Sequence, residues 1–169
     1  MKKLITLIIA LFVLSAGTAF AQTEIGVTAE VLAELNVTGN DVEFGNVQQG
    51  SAAQVQANTN DIANSNASAP VAGSLEVLAG SQDYQVSVTQ DAILTDGDGN
   101  NPLTFTHRVF LGATEVTTDV DGGGYNVVGG GDQTFDIGGE LQAPSAAGSY
   151  STANGGTAQP LIFVVNYII

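Results

Sequence analysis

The sequence predicts an all-β protein, an immunoglobulin-like antiparallel β-sandwich of roughly eight to ten strands. Three observations carry that expectation. Apolar residues recur at every second position in several short runs, and clusters of Gly, Asn and Asp separate those runs. No stretch after residue 21 keeps the apolar period of an amphipathic helix.

The elements follow in chain order. Lys2 and Lys3, the apolar run Leu4 to Leu14 and the Ala19-Phe20-Ala21 site have the layout of a secretory signal peptide. The predicted domains are therefore a signal over 1–21 and a single β domain over 22–169. An apolar run of 11 residues is too short to cross a bilayer as a helix. The chain is expected to be exported to the periplasm, the cell surface or the medium.

Ile25, Val27, Ala29, Val31, Ala33, Leu35 and Val37 occupy alternate positions, the mark of one half-buried strand or two consecutive ones. Asp41 to Val47 reads as a shorter strand with Val42 and Phe44 on one face. Further strands are predicted at Ala53 to Asn58, Gly73 to Leu78 and Tyr84 to Gln90. The run Thr95 to Pro102 then turns the chain, since Asp-Gly and Gly-Asn pairs supply the positive φ that tight hairpins need. Leu103 to Leu111 follows, with Leu103, Phe105, Val109 and Leu111 on one face. Two glycine clusters frame Tyr125 to Val128, and Gln133 to Leu141 is the next strand. Pro144 to Gln159, small and polar, reads as a mobile loop. Leu161 to Ile169 is apolar on both faces except at Asn166, which suits a central strand of a packed sheet.

Charge narrows the partners. The chain has 17 carboxylates against three basic residues, and two of those three are Lys2 and Lys3. Arg108 is the one strong cation beyond them. Phosphate binding depends on Lys and Arg releasing counterions, so no nucleic acid and no anionic membrane surface is expected as a partner. There is no cysteine, so no disulfide supports the fold.

Reactive side chains are scarce. His107 is the single histidine, it alternates with Phe105 and Val109, and no G-x-S-x-G motif accompanies it. A core-edge histidine is the better reading, and no catalytic residue and no enzymatic activity are predicted. Asp96, Asp98 and Asn100 set oxygen ligands at alternate positions, as a weak calcium loop would. An EF-hand would continue with Gly at 101 and Glu at 107, where this chain has Asn101 and His107, so a plain hairpin is favoured. Asp119 and Asp121 invite the same comparison with less force. Without tryptophan, and with most of its aromatics on alternating positions, the chain offers a sugar few stacking platforms. Asn36-Val37-Thr38 and Asn66-Ala67-Ser68 fit the N-glycosylation pattern.

The order of several motifs resembles a known group of exported bacterial proteins. They are the alternating first strand, Phe44-Gly45-Asn46-Val47, the Tyr-x-Val-x-Val run Tyr84 to Val88, the Phe-x-Ile-Gly-Gly-x-Leu run Phe135 to Leu141, and Val165-Asn166-Tyr167. Together they resemble the domain-of-unknown-function family numbered 4402, which is similar in layout to spore-coat-U-type and archaic chaperone–usher pilus subunits. The resemblance implies an incomplete sandwich completed by a neighbour's N-terminal strand. The donor would lie within Thr23 to Val37, with Ile25, Val27, Ala29 and Val31 as the residues inserted. It also implies self-association or assembly with chaperone- or usher-type partners. Gly156, fourteen residues from the end, matches the C-terminal pattern of that wider class. Ile168 stands where the class has an aromatic, with Tyr167 beside it.

Two functions are therefore in view. The first is an exported, non-enzymatic structural or surface-interaction protein, fimbria-like in assembly. The alternative is a secreted calcium- or glycan-binding sandwich.

Overall fold

A computed structural model describes residues 34–118 and 123–168. The described residues form ten β-strands and no helix. They are β1 (Asn36–Asn40), β2 (Ala53–Val55), β3 (Gly73–Leu78), β4 (Tyr84–Gln90), β5 (Ala92–Leu94), β6 (Leu103–Leu111), β7 (Thr114–Val116), β8 (Tyr125–Val127), β9 (Gln133–Leu141) and β10 (Ile162–Tyr167). All pairings are antiparallel.

The strands form two sheets, as the period-two pattern predicts for a sandwich. The larger runs β1-β3-β9-β6-β5, with β2 beside β9 and β7 beside β6; the smaller runs β10-β4-β8. β9 pairs with β6 from Phe135 to Leu141, and on its other side meets β3 first and then β2. The crowding there explains Gly139, whose φ is +144°, since a Cβ would run into the Thr106 carbonyl of β6.

Alternating side chains from both sheets make the core. Leu75, Val77, Val109, Phe135 and Ile137 of the larger sheet meet Tyr84, Val86 and Val127 of the smaller one. A second cluster, Ala92, Leu103, Phe105 and Leu141, lies toward the other end of the larger sheet. Burying one such side chain stabilises by about 1.5–3 kcal/mol, so these clusters supply the main favourable term in a chain without disulfides.

Several expectations need correction. Ile25, Val27, Ala29, Val31 and Ala33, like the signal segment, lie outside the described residues. The start of the predicted first strand therefore goes untested, and the first described strand, β1, is exposed at every residue, Val37 included. Asp41 to Val47 does turn Val42, Phe44 and Val47 toward the core, but it joins its neighbours only through the bridges Glu43↔Val71 and Val47↔Ala67. β5 and β7 were not expected, because three residues are too few for an alternation to register.

The segment 144–159 contains no strand yet is not loose. Ser151 pairs with Thr95, and Gln159 with Ile93. The largest correction concerns the C-terminal run. Among the described residues β10 stands at an edge, paired with β4, in a smaller sheet of three described strands. Its apolar residues are consequently left half-buried or exposed, Ile162 at 39 %.

Candidate functional site

The site follows from two extended segments, 41–47 and β10, each paired on one side only among the described residues. Segment 41–47 uses one edge: the Glu43 N–H donates to the Val71 carbonyl at 2.9 Å, and the Val71 N–H returns to Glu43 at 2.7 Å. In extended chain the amides of the flanking residues, Val42 and Phe44, point to the opposite side. β10 has β4 on one edge and no described strand on the other. Both segments line the same groove of about 860 Å³.

The floor of that groove is the inner face of the larger sheet. Leu75, Ile137 and Leu141 contribute from β3 and β9, and Leu103, Phe105 and Ala92 from β6 and β5. Val42 and Phe44 form one wall, Phe44 packing edge-to-face on Phe105 with ring centroids 5.7 Å apart. Leu161, just before β10, and Phe163 within it form the other. One end is crossed by residues 144–152. There the Gly50 N–H donates to the Pro144 carbonyl at 2.8 Å, and the Gln49 side-chain amide donates to the Ser145 carbonyl at 2.7 Å.

An apolar floor between two half-paired backbone edges matches an extended peptide. Alternate side chains would descend onto the floor while main-chain groups pair with the walls. The groove offers no charged pair over its floor, since Asp41 and Glu43 are both exposed on the wall. Comparison with known proteins finds no matching family model, no matching curated protein and no matching solved structure. The chemistry of the groove must therefore be read from its own residues.

The predicted calcium residues are arranged differently from a cation cage. Asp96 accepts the Asn100 N–H at 2.8 Å and the Asp98 N–H at 3.2 Å on one oxygen, and the Asn101 side-chain amide at 2.7 Å on the other. The bond from Asn101, then that from Asn100, holds its carboxyl below the usual carboxylate range. Asp98 and Asn100 are exposed on the tip. The three thus form a hairpin cap between β5 and β6, and a cation would have to take Asp96 from its donors. Among the described residues no three His, Cys, Asp or Glu side chains converge as a metal site requires. Asp119 and Asp121 lie outside the described residues.

His107 sits at the core edge, as its alternation with Phe105 and Val109 predicts. Its Nδ1 lies 3.4 Å from Asp91 and its Nε2 3.5 Å from the Thr118 hydroxyl. Thr118 is buried, at 2 % exposure. The trio fills the edge of the larger sheet between β5 and β7.

Arg108 is spent inside the fold. It holds Glu115 through two hydrogen bonds of 2.9 and 2.7 Å, binds the buried Asp61 carboxylate, and lies 5.3 Å over the Phe110 ring. The Arg108 hydrogen bonds pull Glu115 below its ordinary range. Both glycosylation-motif asparagines are exposed, Asn36 on β1 and Asn66 with its side-chain amide donating to the Ala52 carbonyl at 2.8 Å. Sequence reasoning missed the groove because its walls are defined by what fails to pair with them, and no residue type encodes that.

Proposed function

We propose that this is an exported, non-enzymatic structural or surface-interaction protein that assembles by strand complementation, with the groove as acceptor. The observation that carries the reading is a single one: two half-paired strand edges flank an apolar floor that the described residues leave open. An apolar, open edge strand is a liability that soluble proteins ordinarily cover. β10 is such an edge, and an inserted strand would cover it.

The occupant is the segment 23–33 of a second copy. Its alternating Ile25, Val27, Ala29 and Val31 suit an apolar floor on one face only. Over its described length β1 runs away from the groove. Asn40 lies at the groove, whereas Asn36 pairs with Leu78, so β1 leads the chain away from it over five residues, roughly 13 Å. The resemblance of its motif order to that of family 4402 and pilus-like subunits is in keeping with this reading. Export rests on the signal-like residues 1–21.

Deletion of residues 22–31 tests it. The truncated protein should stay folded, with an unchanged far-UV spectrum, and lose self-association in sedimentation. A monomeric protein that unfolds on truncation would sink the proposal, since the segment would then belong to its own domain.

A further inference from the structure

Resting on that acceptor reading, we propose that Tyr150 decides how large a side chain the strapped end of the groove admits. Residues 146–150 form a strap between two fixed points. Pro144 and Ser145 are bonded to Gly50 and Gln49 on one side, and Ser151 is paired through backbone with Thr95, at 3.0 and 3.2 Å, on the other. The strap itself is Ala146, Ala147, Gly148 and Ser149, whose side chains are too short to fill the space beneath them. Tyr150 alone carries bulk.

The Tyr150 ring packs on the cluster of Ala92, Leu103, Phe105 and Leu141, and its hydroxyl donates to the Ala146 carbonyl at 3.0 Å. One end of the side chain is held by the floor and the other by the strap. The stretch of floor left free beside the ring is therefore bounded by a rigid group with few rotamers, not by a side chain that yields. Same-face residues of an inserted strand are about 7 Å apart. Only one or two of the four donor residues can lie beside the ring, and those are the positions where an added aromatic overpacks the site.

The test uses the purified full-length protein and a fluorescent peptide of residues 23–33, with binding read by anisotropy. Ile25→Phe, Val27→Phe, Ala29→Phe and Val31→Phe peptides are compared on wild type, Tyr150→Ala and Tyr150→Phe. Wild type should bind the parent peptide and lose about tenfold or more in affinity at one or two positions. Tyr150→Ala should restore those same positions to within about threefold of the parent. Tyr150→Phe keeps the ring but loses the hydrogen bond, so its discrimination should be present and smaller; it also serves if the alanine variant fails to fold. Unchanged discrimination in the variants, or none in wild type, overturns the role of Tyr150 alone. A parent peptide that binds none of the three proteins overturns the acceptor reading, and this inference with it.

Discussion

Tyr84 lies at 0 % exposure on the inner face of β4, and its hydroxyl finds no hydrogen-bond partner among the described residues. A buried, unsatisfied hydroxyl costs about 1–3 kcal/mol, so Tyr84→Phe should raise stability at neutral pH by about 1 kcal/mol in urea titration. A lower midpoint would show that the hydroxyl is satisfied after all. Burial, with Asp132 nearby, pushes the Tyr84 phenol from 10.0 up to about 12. The raised value means that stability is whole below pH 10.0 and falls as pH rises toward about 12. Wild type should lose on the order of 2 kcal/mol more than Tyr84→Phe across that window. Equal losses would refute the assignment. Gly156 has a second residue-scale role: at φ +75° it lies against Gly99, and a Cβ there would run into the Gly99 carbonyl. Gly156→Ala should destabilise by about 1–3 kcal/mol, seen as a lower melting temperature. The position that matches a pilus-like C-terminal pattern thus has a packing reason of its own.

Among the elements, the hairpin between β5 and β6 gives a direct prediction. Its Asp96 carboxylate is already occupied by the donors of Asp98, Asn100 and Asn101. Millimolar calcium should therefore leave the melting temperature unchanged, whereas a site filled to about 100 times its dissociation constant would add about 2.7 kcal/mol. A clear upward shift would revive the calcium reading. The boundaries of β3, β4, β6 and β9 follow from alternation and turn residues alone. β10 shows the limit of that logic. An apolar run on both faces marks a strand that wants cover, and the same run fits a central strand or an edge awaiting a partner.

At the scale of the molecule, 17 carboxylates face a single cation beyond Lys3, and that cation is neutralised by Asp61 and Glu115. Self-repulsion should weaken both the fold and association between copies at low ionic strength. Raising salt from about 0.01 M to about 1 M shortens the screening length from about 30 Å to about 3 Å. The melting temperature should then rise by a few degrees, about 2–8 °C for each kcal/mol recovered. A melting temperature that ignores salt would show that the carboxylates are too far apart to matter.

The sequence by itself determined the all-β class, most strand positions and the acidic, cation-poor surface. Those properties are local or additive: alternation of side chains, turn-forming residues and charge can be read without knowing which segments meet. Tertiary structure alone decided that, among the described residues, β10 stands at an edge, segment 41–47 pairs on one side of its backbone, and the space between them is an apolar groove. Strand pairing joins residues far apart in the chain, as Phe163 of β10 joins Val88 of β4. Which edge is left unpaired depends on the completed set of such pairings, and no single run of residues encodes it.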